Sequence, residues 1–213
     1  MNYANLKVID AGPAHDLVVD GRTARRHRNK AAVLDAMIAL TRELNEEPAV
    51  ELIAERAGVS YRSIYRYFDD RTDLMLSAIR QVIGDMSPLI QTEFLGEGEF
   101  EDRLRRYVEL RLSVYRQLAP LTRLAVRRSA DQPLVRAELA KVRQFQQAQF
   151  ERQFAAELAD IDDSDVVMPA INALFLFEPL EYLAEDVGLD DAAMIEVLAR
   201  HITAHLAAAH HTI

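Results

Sequence analysis

Residues 50–68, Val-Glu-Leu-Ile-Ala-Glu-Arg-Ala-Gly-Val-Ser-Tyr-Arg-Ser-Ile-Tyr-Arg-Tyr-Phe, constrain this chain more than any other stretch. Val50, Ile53, Ala54 and Ala57 recur at i, i+3, i+4 and i+7, which gives a short helix one apolar face small enough for close packing. Gly58 follows the last periodic residue. Without a Cβ it can take a positive φ, as a sharp turn between helices crossing at a wide angle requires. Ser60 can cap the next helix by accepting from one of its free amides. In that second helix Ile64 and Phe68 share an inward face, while Tyr61, Arg62, Tyr65 and Arg66 form two i, i+4 pairs on another. Such an outward row suits double-stranded DNA: arginine can take a guanine edge in bidentate fashion while hydroxyls and amides hold phosphates.

The net charge of −9 looks unfavourable for a nucleic-acid partner until it is divided along the chain. Residues 21–80 hold 11 Lys/Arg against 9 Asp/Glu, a net of +2, whereas residues 81–213 hold 13 against 22, a net of −9. Residues 1–20 carry the remaining −2. Arg22, Arg25, Arg26, Arg28 and Lys30 come with no acid among them. Phosphate affinity depends on such a local patch, and an acidic remainder can coexist with it. For this cluster a minor-groove or phosphate contact competes with the plainer reading of a solvated helix start.

With 213 residues, half of them hydrophobic, the chain can bury a sizeable core as one large domain or two small ones. Cysteine is absent, which excludes disulfides and thiolate metal sites and suits a reducing compartment. The first twenty residues show no basic stretch followed by an apolar run, and no apolar stretch is long enough to span a bilayer. A cytoplasmic protein without a membrane partner is therefore expected.

Taken in order, residues 1–22 read as a flexible arm with no sustained period. Residues 23–45 carry a helical stripe of Val33, Leu34, Met37, Ile38, Thr41 and Leu44, closed off before Pro48. After residues 50–68, Asp69, Asp70 and Thr72 offer caps for a helix bearing Leu74, Met75, Ile79, Val82 and Ile83, ending near Pro88. Residues 89–99, with Gly96 and Gly98, read as a short helical piece and a loop. A helix over residues 100–117 should break at Pro120, with a short helix over 121–128 and a long one over 134–158. Residues 166–183 are apolar nearly all round, and a helix there must be covered on more than one side. Asp190 can cap a last helix carrying Ile195, Leu198, Ile202 and Leu206. No strand pattern and no internal repeat is present, so the class is all-α.

At Ile53-Ala54-Glu55-Arg56-Ala57-Gly58-Val59-Ser60, followed by Ile64-Tyr65-Arg66-Tyr67-Phe68 and Leu74, the sequence resembles the TetR (tetracycline-repressor-like) family of bacterial transcriptional regulators. The resemblance covers roughly residues 24–80. It implies a three-helix helix-turn-helix domain over residues 23–71 and a larger helical ligand-binding and dimerisation domain over 72–213. It further implies a homodimer through the last two helices, a palindromic DNA operator and repression relieved by an unidentified small-molecule effector. The recognition helix would be residues 61–67, with Ser60, Tyr61, Arg62, Ser63, Tyr65, Arg66 and Tyr67 at the DNA, Tyr65 and Tyr67 where phosphates are touched. Arg71, opening the fourth helix, would meet the backbone, and Arg25, Arg26 and Arg28 supply the basic arm. Two departures stand out: Ala49 replaces the threonine that often caps the motif's first helix, and bulky Tyr61-Arg62 replaces small residues.

For an effector pocket the candidates are Tyr107, Arg111, Tyr115, Asn172, Phe175, Glu178 and Tyr182, polar or aromatic residues on the helices expected to surround it. A carboxylate at Glu178 or Glu181 could meet a cationic ligand or face solvent. His201 and His205 stand at i and i+4, with His210 and His211 after them, but without a third ligand they are expected as surface or interface histidines. No metal or cofactor is expected. The alternatives are an architectural DNA-binding protein, or a helical enzyme or small-molecule-binding protein, for which no nucleophile–base pair, phosphate loop or metal signature assembles.

Overall fold

In the computed structural model, residues 21–90, 97–159, 161 and 164–209 are described, and every regular element among them is helical. In chain order these are α1 (Gly21–Leu44), α2 (Val50–Ala57), α3 (Tyr61–Tyr67), α4 (Arg71–Ile90), α5 (Phe100–Ser129), α6 (Pro133–Gln153), α7 (Ala155–Leu158), α8 (Ser164–Leu174), α9 (Phe177–Glu181), a π-helical turn (Tyr182–Asp186) and α10 (Asp191–Ala209). The expected arm lies outside the described residues except for Gly21 and Arg22, which already belong to α1. Most of the expected loop, residues 91–96, also lies outside them, as do Asp160, Asp162 and Asp163.

The local signals act where the sequence places them. Gly58 takes φ 65°, and the turn closes with Gly58 N–H donating to Glu55 O at 3.1 Å and Val59 N–H to Ala54 O at 3.0 Å. Ser60 Oγ accepts from Ser63 N–H at 3.2 Å and starts α3. Ahead of α4, Asp70 Oδ1 accepts from Asp73 N–H at 2.8 Å while Asp73 Oδ2 accepts from Asp69 N–H at 3.3 Å, a reciprocal cap. Asp190 Oδ1 accepts from Ala193 N–H at 2.8 Å at the head of α10. Ala49 gives α2 no side-chain cap.

Two apolar cores result. The first joins Val33, Met37 and Leu40 of α1, Ile53 of α2, Ile64 of α3, Phe68 and Met75 of α4 and its approach, but also Leu121 and Leu124 of α5 and Val135 of α6. The second gathers Leu104, Tyr107, Val108 and Leu112 of α5 with Phe150, Phe154, Ile171, Phe175, Leu198 and Ile202. α5 belongs to both.

Three expectations are corrected. Pro120 does not break its helix: α5 runs through it for 30 residues. A proline costs one amide donor and crowds the preceding turn, but Leu118 and Ala119 before it and Leu121, Leu124 and Ala125 after it are buried, and that packing holds both halves in line. The helix expected over residues 134–158 ends at Gln153, because Phe154 leaves helical geometry (φ −120°, ψ 29°) and buries its ring 4.5 Å from that of Phe150. Residues 166–183 form two helices rather than one. Phe175 N–H and Leu176 N–H turn back to Asn172 O and Ala173 O at 3.1 and 3.3 Å, so that Pro179 falls in the first turn of α9, where its missing N–H has no partner to lose.

Gly58→Ala forces a Cβ into left-handed backbone and should lower stability by roughly 1–2 kcal/mol, whereas Gly84→Ala, in the exposed middle of α4 with open space around it, should raise it by about 0.5–1 kcal/mol. Urea unfolding of the two variants checks the contrast.

Candidate nucleic-acid interface

α3 is seven residues long, and its identity is set by which side chains it hides. Ile64 and Tyr67 are buried, fixing the helix on α1 and α2. Tyr61 and Tyr65 stand out at 46% and 42% exposure with ring centroids 5.1 Å apart and hydroxyls 3.3 Å apart. The hydrogen bond to Tyr65 pushes the Tyr61 hydroxyl above its ordinary range. Arg62 and Arg66 are exposed beside them. Ser60 and Ser63 sit at the start of the same helix, their hydroxyl oxygens 2.8 Å apart.

The two arginines differ. Arg66 lies over the Tyr67 ring at 5.3 Å and donates to its hydroxyl at 3.2 Å. Among the described residues Arg62 makes no salt bridge and is the guanidinium left to reach outward. Tyr67, which the family resemblance places at phosphates, has its ring in the core. Its hydroxyl accepts from Asn29 of α1 at 3.3 Å as well as from Arg66, and those two bonds hold it below the usual phenol range. Asn29 is therefore a residue of this surface that the sequence reading missed, since nothing in its local pattern announces a bond to a residue 38 positions away.

Arg25, Arg26 and Arg28 are exposed on the first turns of α1. Arg26 is near enough to act electrostatically on Tyr67, which sets the basic start of α1 beside the end of α3. Lys30 covers the Phe68 ring at 5.0 Å. At the other end Arg71 acts on Tyr61, but its guanidinium is held by Glu47 at 2.8 Å and by Pro48 O at 3.3 Å. The result is a surface with two outward tyrosines and an unpaired arginine at its centre and cations on both flanks.

This stretch has counterparts. Residues 47–78 match the sequence pattern of bacterial regulatory proteins, tetR family. Over these residues the chain is similar to the tetR family. Over 91 residues it is 33% identical to the HTH-type transcriptional repressor LfrR of Mycolicibacterium smegmatis, a match covering 42% of this chain and 47% of that repressor, so the chain spans about half the length of this relative. A transcriptional regulator from Rhodococcus sp. Rha1 superposes over 88% of this chain and 99% of its own, with TM-score 0.62 and 18% identity. A tetR-family transcriptional regulator from Streptomyces coelicolor does so over 86% and 83%, with TM-score 0.63 and 20% identity. At that identity the two structures show a shared fold.

In the rest of the chain the structure brings some of the expected pocket residues together and separates others. Tyr107, Arg111 and Phe175 meet in the second core, with the Arg111 guanidinium 5.6 Å from the Phe175 ring and Tyr107 edge-on to Phe150, Phe154 and Phe175 at 5.4–5.6 Å. Asn172 is half-buried one turn before Phe175. Glu178 and Tyr182 face outward. Tyr115 is buried beside Phe177 and donates to Glu181 at 3.0 Å; burial first, then the Glu181 carboxylate, pushes its hydroxyl well above the phenol range. Glu181 also takes Arg123 at 2.6 Å, so this carboxylate is neutralised from within.

Sequence reading also missed Glu47, which pairs with Arg71 and, at 2.6 Å, with Arg128 at the end of α5. Glu47→Gln leaves two partly exposed arginines without a counter-charge and should cost about 1 kcal/mol, read as a lower urea midpoint with unchanged slope.

Proposed function

We propose that the chain is a cytoplasmic, homodimeric, effector-responsive transcriptional regulator that represses by occupying a roughly palindromic DNA operator and leaves it when a small molecule binds. The observation that carries this reading is the outward row Tyr61, Arg62, Tyr65 and Arg66 on a helix whose opposite side is locked into the first core. α3 enters the major groove. Arg62, unpaired and exposed, reads a base edge, Arg66 is oriented by the Tyr67 ring, and tyrosine hydroxyls with the Ser60–Ser63 start of the helix meet the backbone. Arg71 and the α1 cations Arg25, Arg26 and Arg28 add phosphate contacts on the flanks. Residues 23–71 read, and residues 72–213 sense and dimerise.

A seven-residue helix offers too few contacts to bind tightly alone, and two of them about one helical turn apart, ~34 Å, read two half-sites. The dimer forms through the α8-to-α10 region, where Val166 and Tyr182 are 67% and 57% exposed and Val187 is also uncovered. No single helix among the described residues is long and apolar enough to cross a membrane; only α8 and α9 with its π-helical turn, bent by 43°, pass on length and composition together. The inner side of that pair, including Ile171, Phe175 and Leu180, lies in the second core, which suits a protein interface on its outer side. Release is a shift of populations: an effector preferring the conformer with the wrong recognition-helix spacing lowers operator affinity by its differential binding free energy.

Genome-wide mapping of bound sites should return a small set of inverted repeats beside promoters; broad binding or none defeats the proposal. Arg62→Ala should weaken operator binding by ~1–3 kcal/mol with little change for random DNA, and an equal loss on both would make Arg62 a phosphate contact. Sedimentation at micromolar concentration should give a dimer for the wild type and a monomer-shifted equilibrium for Val166→Asp.

A further inference from the structure

Arg111 sits midway along α5, 5% exposed, in the second core. Among the described residues no hydrogen bond or salt bridge reaches its guanidinium, and its Nε is fully buried without an acceptor. The other buried or half-buried arginines of this region are provided for. Arg103 donates to Gly98 O at 3.0 Å, to Gln153 O at 2.6 Å and to Glu157, and Arg123 is paired with Glu181 and Asn45. Glu181, the carboxylate that α9 brings inward, is taken by Arg123 and Tyr115. A guanidinium does not give up its proton to escape an apolar setting, so a charge without a counter-charge here opposes folding. The Phe175 ring offsets only part of that.

A second orphan lies on α8, one turn before Phe175. Asn172 Nδ2 is buried with no acceptor, three residues before the Phe175 ring that Arg111 covers. Both groups are donors, and the Phe175 ring that Arg111 covers meets Tyr107 edge-on, which in turn meets Phe150 and Phe154. A cationic ligand would meet the Arg111 charge, and a neutral apolar one would leave both donors unmatched. Phe175 stands at the break between α8 and α9, where its own N–H turns back to Asn172 O and the regular helical ladder is interrupted.

We propose that Arg111 and Asn172 are the head-group site of the effector pocket, and that the effector is an apolar monocarboxylate. Arg111 takes the carboxylate in charge-assisted hydrogen bonds, Asn172 donates to it, and the apolar body packs among the aromatic rings. This rests on the reading of the chain as an effector-responsive regulator.

The test uses the full-length chain with phenylacetate and decanoate as probes and phenylacetamide, decanol and benzylamine as their uncharged and cationic counterparts. Calorimetry and thermal melting should show binding and a raised Tm with the two carboxylates and neither with the counterparts. Arg111→Met should bind the carboxylates roughly 10- to 100-fold more weakly yet melt above the wild type without ligand, because it removes an uncompensated charge. Arg111→Lys should retain part of the affinity. Carboxylates that do not bind, or that bind no better than their amide and alcohol, overturn the proposal. So does an Arg111→Met variant that melts well below the wild type, which would reveal a protein counter-charge. Carboxylate binding that leaves operator affinity unchanged removes the effector role. Operator binding by the ligand-free wild type is measured separately: its absence defeats the regulator reading, whereas its presence without a carboxylate response defeats only the anion site.

Discussion

Burial of α5 from two sides is the constraint on which the two halves of the molecule depend. Leu121 and Leu124 near its end close the first core under α1 to α4, while Leu104, Tyr107, Val108 and Leu112 near its start carry the second. Each such side chain contributes about 1.5–3 kcal/mol when fully buried, against 0–1 kcal/mol for an exposed ion pair. The join between α1 to α4 and the rest is therefore hydrophobic in strength, and the polar contacts along it set register rather than cohesion. A helix-turn-helix segment whose core continues into α5 and α6 cannot reorient as a free bead on a linker. Its position is tied to the position of α5.

Polar groups make that tie specific. Arg123 of α5 reaches both Glu181 of α9 and Asn45, which ends α1 in left-handed backbone at φ 53°. Arg128, one turn further on, meets Glu47, which also holds Arg71. Arg42 of α1 donates to Gln117 O at 3.4 Å. The connection from α1 into α2 is thus gripped from α5 at several points, and Glu181 links the grip to the region around Tyr115 and Phe177. A ligand that moves α9 or the start of α5 acts on side chains that already touch the entry to α2 and α3, which is the two-state coupling the proposed function needs.

What the sequence disclosed and what it withheld divide along a physical line. Gly58, Ser60, Asp70 and Asp190 work through neighbours at most four residues away, and each does in the structure what its local chemistry implies. The outward row on α3 was equally legible, because Ile64 and Phe68 fix which face turns in. Pro120 was misjudged because local propensity speaks for a break and only the distant packing of Leu121 and Leu124 overrides it. In residues 166–183 the apolar content is evident, but Pro179 fits equally a kink in one helix and the first turn of a second, and only the turn at Phe175 and Leu176 decides between them. Asn29, Glu47 and the orphaned state of Arg111 were out of reach, since each is defined by partners, or their lack, far along the chain.

Pro120 in the middle of α5 has a mechanical meaning beyond its tolerance by packing. It has no amide to give to Arg116 O, so one rung of the helical ladder is missing between Tyr115, which faces the second core, and Leu121, which faces the first. A shaft with a missing rung bends there at lower cost than anywhere else along its length, because no hydrogen bond has to stretch or break. Pro120 is thus the softest point of α5, and it lies in the stretch in which Val114, Leu118 and Leu121 face the first core while Leu112, Tyr115 and Ala119 face the second. Stiff segments on either side turn a small rotation at one end of α5 into a displacement at the other.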